Sequence, residues 1–280
     1  MKASRFNFLA GLLIFTFCSI SGQTYEKLPV KGLEKITATS GISAPVTVKV
    51  IYDNYVSREG TKPDWGYAIL IEGLDKEILF DTGAKPDILE SNIRAMKIDP
   101  SLIDILVFSH EHGDHTAGVT SFVKMKTGIP VIMPQSFSRG FQKKMAGSGL
   151  KPLLVDAPSS ICSDLYTSGE FDYSIPEHAL VLDTRKGLVV ITGCSHPGII
   201  AMLTKIKADF NKNIYMVFGG FHLLDKSEKE MQSIIAEMQK LGVVKCGATH
   251  CTGEKQTAMI RESFGNNFIL LGTGNQVVID

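Results

Sequence analysis

The ten residues from Ser109 to Gly118, SHEHGDHTAG, carry most of the chemistry this chain can offer. They follow the apolar run Ile105, Leu106, Val107, Phe108, which reads as a buried strand delivering ligands into the turn after it. Neutral imidazoles beside a carboxylate suit zinc first, and iron or manganese after it. In extended backbone His110 and His112 face the same side, so two rings converge on one ion. Asp114 and His115 lie beyond Gly113, where the chain can turn, and can address a second ion beside the first. Single histidines are common on loops, but three histidines and an aspartate within six positions are not explained that way.

The pattern His-x-His-x-Asp-His after an apolar strand resembles the first metal motif of the metallo-β-lactamase superfamily, and the likeness runs from about Val46 to Asp280. The resemblance implies an α/β fold, a four-layer αββα sandwich, with one or two divalent ions. His196, just before Pro197 and Gly198, matches the third motif, and His250 in THCTG matches the fifth. On that likeness His110, His112 and His196 hold the first ion, and Asp114, His115 and His250 the second. Asp114 would also serve catalysis by accepting a hydrogen bond from the nucleophile. Asp81, in Phe80-Asp81-Thr82-Gly83, resembles a carboxylate that orients a ligand from behind, and reads equally as a turn carboxylate serving backbone donors. Asp53 and Asn54 resemble a strand-end pair near the site.

One departure stands out. In relatives the strand matching Ile214 to Phe218 ends in an aspartate that bridges two ions, whereas this chain continues Gly219, Gly220, Phe221, His222. His222 is then a metal ligand, an acid or base, or a residue packed at a strand end. Cys194 is a small buried hydrophobe or a thiolate ligand. The stretches TGCSHPGI, GGFHL and THCTG resemble the branch of 7,8-dihydropterin-6-methyl-4-(β-D-ribofuranosyl)aminobenzene-5′-phosphate synthase-like proteins.

The elements that must carry these residues follow from pattern. Strands are expected over 46–53, 67–72 and 77–80, and a helix from Pro86 with Ile88, Leu89, Ile93 and Met96 on one face. Thr116 is expected to cap a short helix with Val119, Phe122 and Val123 facing inward. After a strand over 129–133, the stretch 134–176 reads as loops and short elements. Its Arg139, Lys143, Lys144 and Lys151 are a solvated surface or a lid for an anionic group. The second half repeats the plan, with strands over 179–182, 188–192, 214–218 and 244–249, helices after Pro197, around Met231 to Leu241 and around Met259 to Phe264, and a closing strand over 268–274.

With 280 residues and 44% hydrophobic content the chain can bury a large core. Lysine plus arginine equal aspartate plus glutamate at 29 each, which gives no argument for nucleic acid or a membrane surface. Five cysteines make no disulfide scaffold in a chain of this length. Lys2 and Arg5 precede an apolar run from Phe6 to Phe17 and then small and polar residues, the layout of a secretory signal peptide cut after Ser21 or Gly22. A lipoprotein reading at Cys18 suits bulky Phe17 poorly. The expectation is therefore a signal peptide over 1–22, a metallo-β-lactamase-like domain over 23–280, a periplasmic or secreted location, and no membrane association after cleavage. The activity expected is hydrolysis of a small-molecule ester, lactone, amide or phosphoester. A pterin synthase-like enzyme forming C–N bonds, or a non-catalytic metal-binding or ligand-binding protein on the same scaffold, competes with it.

Overall fold

Side chains alternate along a strand, and here the alternation sorts the apolar residues into three layers. Val46, Val48 and Val50 face one layer, while a bulge after Val50 turns Tyr52, with Ile51, to another. Leu180 and Leu182 likewise face the first layer, and Val181 between them faces the third. Runs buried on both faces read as continuous apolar stretches, as expected of strands covered on both sides.

The structure is a computed structural model describing residues 24–280, so the signal-peptide reading of residues 1–22 lies outside the described residues. In chain order the strands are β1 (Glu26–Lys27), β2 (Val46–Tyr52), β3 (Ala68–Glu72), β4 (Ile78–Phe80), β5 (Ile105–Val107), β6 (Pro130–Pro134), β7 (Lys151–Val155), β8 (Pro158–Cys162), β9 (Leu165–Ser168), β10 (Leu180–Thr184), β11 (Gly187–Thr192), β12 (Ile214–Gly220), β13 (Lys245–Thr249) and β14 (Gln276–Ile279). They form one sheet ordered β1-β7-β6-β5-β4-β3-β2-β14 and a second ordered β13-β12-β11-β10-β9-β8. The helices are α1 (Pro86–Ala95), α2 (Gly113–Thr116), α3 (Val119–Met125), α4 (Arg139–Gly147), α5 (Ile199–Asp209), α6 (Glu228–Lys240) and α7 (Glu254–Phe264). The first layer lies between the sheets, where Phe80 and Val107 meet Val189 and Phe218. Leu89, Phe122 and Met145 cover the outer face of the first sheet, and Leu203, Met238 and Ile260 that of the second. The result is the αββα sandwich that the resemblance implies.

The stretch 134–176 resolves into short elements, α4 and the three strands β7 to β9. Two expectations need correction. Thr116 is no helix cap: it lies inside α2, and its Oγ1 donates to the carbonyl of His112 at 2.9 Å, so the turn starts at the ligands themselves. The last strand is β14 over Gln276–Ile279, whereas Phe268 makes only an isolated bridge to Cys246. Among the described residues no helix is long and apolar enough to cross a membrane.

β4 and β5 run parallel, as do β11, β12 and β13. Their carboxyl ends release Asp81, the turn Ser109 to His115, Cys194 to His196, His222 and His250 together at one edge of the sandwich.

Candidate metal centre

Six of the seven histidines gather at that edge. His110 Nε2 lies 3.1 Å from His112 Nδ1 and 3.3 Å from His196 Nε2. His115 Nε2 lies 3.1 Å from His250 Nε2, and Asp114 Oδ2 stands 3.4 Å from the latter. The structure thus brings His110, His112 and His196 into one set, and Asp114, His115 and His250 into another beside it. His222 sits at the rim, exposed, with its ring centroid 4.3 Å from that of His196. Phe221, next to it, is buried in the outer core of the second sheet.

The far nitrogens of three rings decide what the near ones can do. His115 Nδ1 meets Asp81 Oδ2 at 2.7 Å, so Asp81 takes the N–H and orients the ring. Ser109 Oγ donates to the same oxygen at 2.7 Å, which leaves it to accept from His110 Nδ1 at 2.9 Å. His250 Nδ1 meets Asn54 Oδ1 at 2.9 Å, and the Asn54 amide is fixed because its Nδ2 donates to the His250 carbonyl. With Nδ1 of His110, His115 and His250 turned to these partners, their Nε2 atoms are the ones aimed into the cluster. Nitrogens this close are held together by a shared proton or by a cation between them.

The spacing fits one. Two nitrogens bound tetrahedrally to zinc at 2.0 to 2.1 Å are separated by roughly 3.3 Å, and the three ring-to-ring distances of 3.1, 3.3 and 3.1 Å match. Electrostatics agree. Burial and the neighbouring imidazoles hold His110 well below the ordinary histidine value, and burial with His222 and His112 pushes His196 down to about 3, so neither ring competes for a proton. Burial pulls His115 down, but the Asp81 carboxylate outweighs it and holds the imidazole at about 9, so a cation must displace a proton there. For Asp114 burial is outweighed by His250 and His115, and its carboxyl stays far below the usual carboxylate range.

Several contributors carry no signal in the sequence. Glu177 is completely buried, and its carboxylate accepts from the backbone N–H of Cys194 at 2.7 Å, Ser195 at 2.9 Å and His196 at 2.8 Å. It clamps the whole third ligand turn, and burial, partly offset by those donors, pushes it up to about 7. Trp65 is half exposed and donates Nε1–H to Asp114 Oδ2 at 2.9 Å. Neither sits beside a ligand in the chain, so no motif spacing marks them. Gly193, by contrast, is required by close approach: a Cβ there would collide with Ser109 Oγ, where the turns after β5 and β11 meet. Asp53, fully buried, braces the last ligand turn by accepting from Thr249 Oγ1 at 2.8 Å.

Comparison with known proteins agrees with this geometry. The metallo-β-lactamase superfamily profile matches residues 62–198. A 7,8-dihydropterin-6-methyl-4-(β-D-ribofuranosyl)-aminobenzene-5′-phosphate synthase of Methanocaldococcus jannaschii is 32% identical over 264 residues, covering 76% of this chain and 90% of that protein. The crystal structure of Tm1679, described as a metal-dependent hydrolase of the β-lactamase superfamily, superposes with a TM-score of 0.70 at 25% identity, over 83% of this chain and 98% of that one. The metallo-β-lactamase fold protein YhfI of Bacillus subtilis shares the fold, with a TM-score of 0.62 at 16% identity, over 84% and 99%. The motifs, the fold and these relatives agree: the chain belongs to the metallo-β-lactamase superfamily.

Proposed function

We propose that the protein is a metal-dependent hydrolase acting on an ester, lactone, amide or phosphoester bond of a small molecule, with zinc the first candidate metal and iron or manganese next. The observation that carries this reading is the pair of adjoining imidazole sets at metal-ligand spacing, with the ionised Asp114 carboxylate beside them. A divalent ion held there supplies Lewis acidity and acidifies a water molecule. The chain's own part is positional. The side-chain contacts of Asp114 fall on Oδ2, from Trp65, His115 and His250, which leaves Oδ1 to accept a hydrogen bond from the attacking group and orient it. His110, His115 and His250 are buried, so substrate approaches from the side of His112, His196 and Trp65. A cleft of about 310 Å³ adjoins the site at His196 and His222, lined also by Tyr173, Ile200, Leu223 and Lys226, a volume suited to a small molecule.

The test is turnover of a panel spanning those four bond types. Asp114→Asn should lower the rate roughly 10²-fold or more and weaken the second ion, while the ion at His110, His112 and His196 is kept. The 32% identity to the Methanocaldococcus jannaschii protein favours a second reading, synthesis of the compound in that relative's name. Formation of that compound, with no hydrolysis of any panel member, would replace the first reading. Metal retained with neither activity would leave a binding protein. We also place the protein in the periplasm or outside the cell, on the basic and then apolar start of the sequence. A mature N-terminus near Ser21 to Thr24 supports this, and an intact Met1 on a cytoplasmic protein refutes it.

A further inference from the structure

We infer that Cys194 is the ligand shared by the two ions, in the role that an aspartate at the end of β12 fills in relatives. This rests on the reading that divalent ions occupy both sets. A bridge must reach both, and the Cys194 sulfur lies within 4.8 Å of the ligand atoms of His110 and His196 and, equally, of those of His115 and His250. It is 3.2 Å from His115 Nε2. With bonds of about 2.3 Å to sulfur and 2.0 to 2.1 Å to nitrogen, two ligands of one zinc ion lie roughly 3.1 Å apart at a right angle and roughly 3.6 Å apart at the tetrahedral angle. The observed contact falls between.

The end of β12 packs closely on the turn that carries Cys194. At Gly220, the last residue of β12, an added Cβ would collide with the Gly193 carbonyl and lie 2.8 Å from Cys251 Sγ and 3.3 Å from the Cys194 Cα, so the strand end has no room for a side chain. The sulfur within reach of both histidine sets comes instead from the turn after β11. Glu177 fixes that turn by taking the Cys194 backbone N–H. The other two candidates fail on chemistry or place. Each imidazole nitrogen of His222 has one lone pair and cannot join two ions, whereas a thiolate sulfur has several. The Cys251 sulfur groups only with Cys194 and His222, accepts the His222 backbone N–H at 3.3 Å and faces the Cys194 carbonyl at 3.7 Å. As the ions bind, the Cys194 S–H proton leaves to solvent and the electron pair stays on sulfur, so no oxidant or reductant is needed.

The experiment loads metal-free protein with cobalt(II) and reads ion stoichiometry and the near-ultraviolet thiolate-to-cobalt charge-transfer band, without reference to activity. Wild type should bind two ions and show the band, and Cys251→Ser should do the same. Cys194→Ser should lose the band and hold its second ion roughly 10²-fold more weakly. Cys194→Asp should regain two ions without the band. Wild type with two ions and no band, or a band lost in Cys251→Ser, overturns the assignment while leaving the metal reading intact. Wild type that binds no cobalt overturns both. If Cys194→Ser fails to fold, the wild-type band and its persistence in Cys251→Ser still identify the sulfur.

Discussion

Lowering the pH from about 7 to about 4 should cost this protein about 3 kcal/mol of stability through one side chain, His178. The ring is completely buried; its Nε2–H donates to the Phe108 carbonyl at 2.9 Å and its Nδ1 accepts from Thr167 Oγ1 at 2.6 Å. A second ring proton would point at a hydroxyl that must then turn away, inside the protein. Burial, partly offset by the Phe108 carbonyl, therefore lowers the pKa from 6.5 to about 4. The unfolded chain takes up its proton near 6.5 and the folded one resists until about 4, so the stabilisation is complete above 6.5 and is lost as pH falls through that window. The difference of about 2.5 at 1.36 kcal/mol each gives about 3 kcal/mol, a large share of a typical total of 5 to 15. Urea unfolding of chelator-treated protein at stepped pH, beside His178→Gln, measures it. The glutamine can still donate to Phe108 but does not titrate, and subtraction cancels the histidines of the metal centre. The variant curve should be flatter by about 3 kcal/mol; parallel curves would refute the reasoning. The backbone N–H of His178 also donates to the Ser109 carbonyl, so acid loosening here reaches the ligand turn directly.

Three further outcomes follow from the same contacts. The double change His110→Ala, His112→Ala should remove most bound metal while the far-ultraviolet circular dichroism is kept, since the ligands stand beyond the three apolar layers; equal metal by elemental analysis would sink the assignment. Lys212→Met should cost about 3 kcal/mol in urea, because it leaves Asp183 buried without the ammonium 2.6 Å away, and Asp183→Asn in the same chain should recover much of it. His222→Ala separates three roles: loss of metal with activity marks a ligand, a rate lowered roughly 10²-fold with metal kept marks an acid or base, and no change in either removes it from the site.

The layers of the fold were legible because strands buried on both faces are apolar throughout, as in Leu180 to Leu182 or Leu188 to Ile191, and because helices such as α6 repeat Met231, Ile235 and Met238 at their own period. The histidines and Asp114 that cluster at this edge were legible as ligand-type residues at turns. Their supports were not. Glu177 lies 17 residues before Cys194 and meets it only because β10 and β11 pair antiparallel and return the chain to the same edge. Trp65 meets Asp114 from 49 residues away through the loop before β3. Nothing local distinguishes either from an ordinary loop glutamate or tryptophan. Lys212 and Asp183 form their pair by the same kind of long-range accident of topology.

Backbone conformation shows why this edge needs the rest of the molecule. Asp81, Ser195, His222 and His250 all adopt the left-handed region, with φ of 59°, 63°, 49° and 52°. Each costs roughly 1 to 2 kcal/mol in a residue with a side chain, so together they approach the whole stability of an ordinary domain. Glycine at any of them would remove the cost and the function with it. Asp81 could no longer hold Ser109 and His115, Ser195 could no longer bond the Gly220 carbonyl, and the two histidines would lose their rings. The strain is what turns each strand end sharply enough to aim a short side chain back over the sheet edge. Two six-to-eight-stranded sheets with three apolar layers are large enough to bear it, and a small scaffold would not be. A divalent ion held at this edge would add to the stability of the folded state by mass action, offsetting part of the strain in these turns.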